Sequence, residues 1–350
     1  MPRSMPGSGR LLRFLAGLWL LPRMELAPVT MSMVLWGALA ADAQAPLTQI
    51  ASLLLIALSF HVFGFALNDA ADFRLDRRSG FTAGRPLAAG LLSRKLAYIV
   101  AGVQPPLLFY VAFTVFRSRP LILCLLVSLA LATIYDLYGK KFVISPVLAD
   151  ATEGFSFALL SVTGTLALRS SLRLTDLLIA LLWAVQVLLW NLLGGLKDLE
   201  NDSECGAITT PIVLGVHMDQ ARRIHLTRAF LRYAYGLQTT LYLLAIAFMV
   251  VADSGSWPSV FFLITLLSAT SAALQQHAYR QNMFPEDVLL IGRYVIWLSI
   301  VAIPCLLLLI VCLNTVVQSM ILVIAASCVF MGLNFVFRKA VRLPFGAVAR

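Results

Sequence analysis

Long, nearly uninterrupted runs of apolar residues restrict this chain to folds that a lipid bilayer can surround. Of its 350 residues, 60% are hydrophobic and only 13% are charged, more apolar surface than a soluble domain of this length can bury. Ten runs approach the roughly 17–25 residues that a membrane helix needs. They lie near 26–42, 48–67, 95–115, 119–135, 143–167, 174–196, 229–252, 257–275, 288–312 and 318–337.

The bilayer interior offers no water to the backbone, so an open sheet would leave its polar groups unsatisfied. The sequence therefore predicts an all-α fold, a polytopic bundle of nine or ten transmembrane helices around a central cavity. We interpret residues 26–338 as a single transmembrane domain. A cytoplasmic or interfacial segment, 1–25, precedes it, and a basic tail, 339–350, follows it.

The formal net charge of +10 is interpreted as a topology signal rather than as a nucleic-acid-binding surface. With the N-terminus inside and ten spans counted, basic residues concentrate in the inner segments, as the positive-inside rule requires. The outer loops carry only Arg117, Arg119, Arg169 and Arg173. For a bacterial chain we expect the inner membrane as location, with the acidic segments described next facing the cytoplasm.

Carboxylates gather where two of the apolar runs end. Asn68, Asp72 and Asp76 have i, i+4, i+8 spacing and share one helix face if the helix continues through them, and Asp198 and Asp202 repeat the i, i+4 spacing. Such carboxylates are costly to hold together at a membrane surface without a cation. Their oxygens suit Mg²⁺, which bridges well to phosphate oxygens. We therefore predict that all five bind Mg²⁺ and a diphosphate; a solvated acidic loop is the alternative.

The two acidic groups belong to a weak internal repeat. They lie 126 residues apart, and the segment GRPLAAG after the first group matches TTPIVLG after the second in its Pro and Gly positions, 125 residues later. The repeat units extend over about 48–115 and 174–252. Two similar bundles would place the acidic groups opposite each other across a central cavity.

Basic residues near the acidic groups could bind the diphosphate oxygens that a metal leaves free. Candidates for substrate contact are Arg77, Arg85, Lys197 and Lys141, the last of which follows Lys140 in YDLYGKK. The alternative for each is an ion pair within a structural network or a contact with lipid headgroups.

Three ionisable residues lie inside predicted spans, where an unpaired charge is expensive. His61 precedes Asn68 by seven residues and shares its helix face, and Asp150 and Glu153 are spaced i, i+3. Each is a candidate for binding an acceptor substrate and taking its proton. The alternative is an interhelical hydrogen bond, or an ion pair with a basic residue such as Arg293.

The segments NDAADFRLD, GRPLAAG, YDLYGKK and KDLENDSECGAITTPIVLG, in this order between 26 and 215, resemble the UbiA superfamily of intramembrane prenyltransferases. The family's acidic motifs NxxxDxxxD and DxxxD map onto the two acidic groups, and its intervening Tyr and Lys are similar to Tyr135 and Lys140 or Lys141. The resemblance implies a UbiA-like fold with these catalytic residues: Asn68, Asp72, Asp76, Asp198, Asp202, Tyr135 and Lys140.

The resemblance also implies a reaction. With Mg²⁺ as cofactor, an isoprenyl diphosphate would lose its diphosphate, and the allylic cation would be transferred to an aromatic or quinone-like acceptor. Phe63, Phe65, Trp183 and Trp190 are candidates for an aromatic wall facing that cation. The chain departs from the family in having one more apolar run than the usual nine, and its GFTAG loop lacks the Arg-Thr step common in hydroxybenzoate members.

Two other functions use the same features. Some members of the superfamily cyclise the diphosphate without a second substrate, and a closed aromatic pocket would favour that reaction. A cavity with a polar corner near His61 or Asp150 would favour transfer. A transporter would require helices broken at the membrane midplane, whereas these acidic groups end helices on the inner side.

Overall fold

A computed structural model describes residues 7–77, 84–139, 145–252, 270–280, 282–307, 313–341 and 343. These residues are helical almost throughout, which confirms the predicted all-α class. The helices are α1 (Gly7–Leu20), α2 (Ala27–Ala41), α3 (Leu47–Asp76), α4 (Arg94–Val111), α5 (Arg119–Tyr138), α6 (Pro146–Leu168), α7 (Leu174–Lys197), α8 (Leu199–Glu204), α9 (Thr210–Val213), α10 (Arg228–Ala252), α11 (270–278), α12 (Pro285–Leu307) and α13 (Leu313–Ala340). A 3₁₀ turn (Met24–Leu26), a π-helical turn (Ala112–Phe116) and two short strands, β1 (His217–Met218) and β2 (Ile224–His225), connect them.

Within the described ranges, eight helical stretches are long and apolar enough to cross a membrane, the first of them running from Gly9 to Ala41. The protein is therefore an integral, multi-pass membrane protein. The spans expected at 257–275 and 288–312 fall partly on residues outside the described ranges, so the number nine or ten stays a prediction.

Helix α6 lies in the middle of the bundle, where it packs against α2, α5 and α7. Glycine brings α2 and α6 into backbone contact: a Cβ at Gly37 would overlap the carbonyl of Ser161, and one at Gly164 would overlap the carbonyl of Val34. Small residues permit such close approach where lipid removes the hydrophobic driving force for association. The two helices consequently form a tightly fitted pair.

Gly164→Ala should lower the melting temperature of the detergent-purified protein by several degrees. The added Cβ meets a backbone carbonyl that cannot turn away, and overpacking of this kind typically costs about 1–3 kcal/mol. Gly236→Ala in α10 is the matched control, because a Cβ there meets nothing within 4 Å and alanine favours a helix. Differential scanning fluorimetry compares the two; a Gly164→Ala protein as stable as the wild type would contradict the close approach.

The chain turns sharply at Arg23, which separates α1 from the 3₁₀ turn. Arg23 has φ 49°, a left-handed conformation that is uncommon for a residue with a side chain. Before the turn, the Trp19 ring packs against Phe330 of α13 at a centroid distance of 5.4 Å. After it, the Arg23 guanidinium lies 4.9 Å from the centroid of the Phe65 ring in α3. The turn thus sends the Arg23 side chain into the bundle.

A hairpin of β1 and β2 covers the end of α7 and the short helix α8. The Arg222 guanidinium binds Glu200 of α8 and lies 3.0 Å from Glu286 Oε1 of α12. Within the hairpin, the backbone N–H of Arg223 and then the side chain of His225 hold the pKa of Asp219 at about 2. These contacts fix the segment that carries the second acidic motif.

Candidate active site

The described helices enclose a cavity of about 310 Å³. Its wall comes from α2, α3, α5, α6 and α7 and from loop residues near Arg85 and Thr209, and it combines aromatic with charged side chains. The predicted site residues that line it are His61, Asn68, Arg85, Tyr135, Asp150, Glu153, Lys197, Asp198 and Asp202. Residues distant in sequence thus meet in one place.

The first acidic motif lies at the C-terminal end of α3, which continues through Asp76. The motif's carboxylates are buried, together with that of Asp69, which the spacing argument left out. The Arg85 Nη1 atom donates to Asp76 Oδ2 at 2.7 Å and lies 3.5 Å from Asp69 Oδ1. The Arg23 Nη2 atom donates to Asp69 Oδ1 at 2.7 Å. Two arginines therefore hold this motif, and Arg23 was not predicted to take part.

The second acidic motif follows α7. Asp198 is the residue after the last turn of α7, and Asp202 lies in α8, where its N–H donates to the Asp198 carbonyl at 2.9 Å. The Lys197 ammonium lies 3.1 Å from Asp198 Oδ2. Asp198 and Asp202 are thus one helical turn apart, although α7 ends just before Asp198 and α8 begins just after it.

Arg85 connects the two motifs electrostatically. Burial by itself would lower the pKa of Arg85, but the nearby carboxylates of Asp69, Asp76, Asp198 and Asp72, in descending order of effect, raise it above its usual value. A carboxylate of the second motif acts on the same guanidinium as those of the first. Arg85 therefore marks a position between the motifs that is favourable for a cation.

The side chains predicted to bind Mg²⁺ fit that ion in their chemistry. They offer carboxylate and amide oxygens, the hard ligands that Mg²⁺ prefers, around the position that the Arg85 guanidinium holds. In the described part of the chain, no three His, Cys, Asp or Glu side chains are already arranged as a metal site. Mg²⁺ would draw its remaining ligands from water or substrate oxygens, as it commonly does.

A group of polar side chains, which we call the polar corner, lies in the cavity wall on α5, α6, α7 and α9. Asn191 Nδ2 donates to Glu153 Oε2 at 2.6 Å, and Thr210 Oγ1 donates to Asp150 Oδ2 at 2.5 Å. The Tyr135 hydroxyl lies within hydrogen-bonding reach of Glu153. With Asp136, described next, the corner unites three of the predicted residues with three that were not predicted.

Asn68 links the polar corner to the first acidic motif. Its Nδ2 atom donates to Asp136 Oδ1 at 3.3 Å, and its Oδ1 atom is 3.5 Å from Arg23 Nη2. Asp136 also lines the cavity and belongs to the polar corner. Its position at the end of an apolar run, directly after Tyr135, was the signal that could have identified it from the sequence.

His61 lines the cavity, but both of its ring nitrogens have partners in the protein. Nδ1 lies 2.9 Å from Thr30 Oγ1 of α2, and Nε2 lies 3.3 Å from the backbone carbonyl of Arg23. These contacts correspond to the interhelical alternative considered for this residue. His61 thereby ties α3 to α2 and to the turn at Arg23.

Some predicted residues do not join the cavity wall. Arg77 is exposed and its guanidinium lies over the Phe73 ring, 5.6 Å from the centroid. Asp72 and Asp76 do not line the cavity. Their carboxylates act on the Arg85 guanidinium, which does line it. Lys140 and Lys141 lie outside the described residues.

The aromatic wall differs in part from the expectation. Phe65 and Trp190 line the cavity as predicted, and Phe60 and Phe157 line it as well. Phe63 and Trp183 do not, because both are buried in the hydrophobic core between helices. Helical spacing alone did not distinguish the faces that pack against neighbours from the face that borders the cavity.

The fold and the site define a class of protein, a polytopic helical membrane protein with two acidic motifs at a cavity between its helices. A model of the UbiA prenyltransferase family matches residues 30–292, well over half of the chain. The chain therefore belongs to the UbiA prenyltransferase family, which confirms the resemblance seen in its motifs. Membership supports prenyltransferase activity within the membrane.

Solved structures share this fold at low sequence identity. A digeranylgeranylglyceryl phosphate synthase structure has a TM-score of 0.61 and 14% identity, covering 85% of this chain and 98% of that chain. An apo structure of a UbiA homologue from Aeropyrum pernix K1 has a TM-score of 0.60 and 19% identity, covering 82% of this chain and 98% of that chain. The structure of a UbiA homologue from Archaeoglobus fulgidus bound to GPP and Mg²⁺ has a TM-score of 0.60 and 16% identity, covering 82% of this chain and 99% of that chain. Among curated proteins, no sequence matches significantly.

Proposed function

We propose that this protein transfers an isoprenyl group from an isoprenyl diphosphate to an aromatic or quinone-like acceptor. The observation that carries the proposal is that one cavity is lined by residues of both acidic motifs and by the polar corner. The motifs supply a position for a diphosphate with its cations, and the corner supplies a separate position for a second substrate.

The donor would bind at the acidic motifs. Asn68, Asp72, Asp76, Asp198 and Asp202 are the proposed Mg²⁺-binding residues, and bound Mg²⁺ would stabilise the charge that develops on the leaving diphosphate. Support for this donor comes from the Archaeoglobus fulgidus homologue, whose structures contain GPP or DMAPP together with Mg²⁺.

The basic residues of the chain would share the binding of the diphosphate. Arg85 and Lys197 line the cavity beside the motifs and can donate hydrogen bonds to phosphate oxygens. We propose the same role for Arg77, which directly follows Asp76, and for Lys140 and Lys141, which follow YDLYG at the end of an apolar run on the same predicted inner side. Together these donors stabilise negative charge where it appears in the transition state.

The reaction would proceed by cleavage of the allylic carbon–oxygen bond, whose electron pair leaves with the diphosphate. The allylic cation would lie against Phe60, Phe65, Phe157 and Trp190, whose ring faces stabilise positive charge and whose apolar surface excludes water. The acceptor would form the new bond through carbon or oxygen, and its proton would pass to a carboxylate of the polar corner. Asp150 and Glu153 are the proposed bases, with Tyr135 positioning Glu153.

Cyclisation of the diphosphate without an acceptor is the alternative reaction. It needs the same aspartates, but to end its carbocation it requires only one proton acceptor or a water molecule, not a group of carboxyl, amide and hydroxyl side chains. The polar corner is therefore the observation that favours transfer over cyclisation.

We further propose that residues 26–338 form a single transmembrane domain with 1–25 and 339–350 as flanking segments. The predicted charge distribution places both acidic motifs on the inner side of the membrane, which is the cytoplasmic side if the chain is bacterial.

The proposal is tested with purified protein in lipid nanodiscs, supplied with Mg²⁺ and allylic diphosphates of increasing length, with and without a phenolic acceptor. We expect a prenylated acceptor by mass spectrometry and diphosphate release that depends on the acceptor. Boiled protein and omission of Mg²⁺ are the controls. Formation of a cyclic hydrocarbon or alcohol at the same rate without acceptor would exclude the transferase reaction.

A further inference from the structure

We propose that the acceptor is uncharged and carries hydroxyl groups, so that a phenol, hydroquinone or similar alcohol is accepted and a carboxylated aromatic is rejected. This inference rests on the proposed function, because it describes the second substrate of that reaction. It follows from the charges and the unmet hydrogen-bonding groups of the polar corner.

Carboxyl groups dominate the corner, and none of them is matched by a basic residue. Asp136, Asp150 and Glu153 all line the cavity. Their described hydrogen-bond partners are the uncharged side chains of Asn68, Thr210, Asn191 and Tyr135, and within the described residues no Lys or Arg forms an ion pair with them. The guanidinium groups of Arg23 and Arg85 also line the cavity, but they are paired with Asp69 and Asp76 at the acidic motif.

A second observation is that one carboxyl oxygen of the corner receives no hydrogen bond from the described residues. The Asp136 side chain is only 9% exposed, and its Oδ2 atom has no hydrogen-bond partner among the described residues. A buried acceptor left unsatisfied typically costs about 1–3 kcal/mol. A hydroxyl group of a bound molecule would satisfy Asp136, whereas a carboxylate has no proton to offer.

Other lining atoms in the same region fit an uncharged, oxygen-bearing ring. The indole N–H of Trp190 and the hydroxyl groups of Ser156 and Thr209 are buried and have no described partner. They are uncharged groups that can bond to a hydroxyl or carbonyl oxygen, but they do not neutralise an anion. An anionic acceptor would bring a charge to a wall whose carboxyl groups are paired with no described Lys or Arg, and burying a charge without a partner costs several kcal/mol.

A matched pair of small molecules tests the inference: 4-hydroxybenzyl alcohol and 4-hydroxybenzoate share the ring and phenol and differ in one uncharged or anionic group. Binding to the full-length protein in nanodiscs is measured by equilibrium dialysis, without turnover. We expect the alcohol to bind at least about tenfold more tightly than the carboxylate. Equal or tighter binding of the carboxylate would overturn the inference, as would no binding of the alcohol at millimolar concentration.

Variants of corner residues test whether the polar corner causes the preference for the alcohol over the carboxylate. Glu153→Gln and Asp136→Asn replace a carboxyl group with an amide, which can donate a hydrogen bond to an anion, with little change of shape, and each should reduce the preference for the alcohol severalfold. Glu200→Gln is the control, because Glu200 lies outside the cavity and binds Arg222. Melting curves verify that each variant is folded, and Asp150→Asn replaces any that is not. An unchanged preference in every folded corner variant would overturn the inference.

The binding assay separates this inference from the proposed function. Preferential binding of the alcohol without prenyl transfer to any acceptor would support the inference and contradict the function. Transfer to the carboxylated compound with equal binding of both compounds would contradict the inference and support the function.

Discussion

Replacing Asp198 by asparagine should reduce prenyl transfer by about a thousandfold or more. Asp198 lines the cavity, and its carboxylate acts on the buried Arg85 guanidinium between the two motifs. Asparagine keeps the shape but removes the charge that would hold Mg²⁺ and stabilise the departing diphosphate, an effect that is commonly the largest single term in catalysis. Turnover at saturating donor measures the effect, and a titration with Mg²⁺ should shift to higher concentration. Asp72→Asn should behave in the same way.

Asp219→Asn provides the matched control for these variants. Asp219 is also an aspartate on the same side of the molecule as the second acidic motif, but it lies on the hairpin, where it binds Arg223 and His225, and it does not line the cavity. We expect its activity to remain within about twofold of the wild type, as for surface substitutions generally. Wild-type turnover in both Asp198→Asn and Asp72→Asn would remove the assignment of the metal site.

Arg85→Ala should have the second-largest effect and should change stability as well as activity. The guanidinium donates to Asp76 and lies beside Asp69, and removing one partner of a buried ion pair typically costs about 3–5 kcal/mol. The loss of a phosphate-binding donor should also lower turnover by about a hundredfold. Arg85→Lys should restore part of the stability, because it keeps a cation there without the bidentate geometry of arginine.

The change in melting temperature on adding Mg²⁺ tests whether the Arg85 guanidinium holds the position of a cation. If the guanidinium holds the position of a cation between the motifs, added Mg²⁺ should raise the melting temperature of Arg85→Ala more than that of the wild type. Arg223→Ala, which removes an exposed arginine paired with Asp219, should show the wild-type response. An equal response to Mg²⁺ in Arg85→Ala and the wild type would show that the cation position is elsewhere.

Local spacing was sufficient to predict the two acidic motifs as helical features. The four-residue steps from Asn68 to Asp76 lie within α3, and those from Asp198 to Asp202 within one turn, because helical periodicity depends only on neighbours along the chain. The helical class followed in the same way from the length of the apolar runs. The number of spans, nine or ten, stays a prediction, since the chain near 257–275 and 288–312 is described only in part.

Contacts over long distances in sequence could not be predicted by spacing. Arg23 reaches Asp69 across 46 residues, from a left-handed turn that no spacing in the sequence indicates. The polar corner joins α5, α6, α7 and α9, the last two through Asn191 and Thr210, which are ordinary polar residues in the sequence. Such residues gain their role from the packing of helices, and an isolated sequence carries no periodic signal for it.

The glycine-mediated contact of α2 and α6 has a consequence for how specificity can evolve in this protein. Thr30 of α2 and Glu153 of α6 border the cavity on a scaffold whose separation is set by the backbone at Gly37 and Gly164. Exchanges of side chains on these two helices can alter the shape and polarity of the pocket without shifting the helices that carry them. If the function is as proposed, a new acceptor can be acquired by few mutations while the acidic motifs, on α3 and where α7 meets α8, stay unchanged.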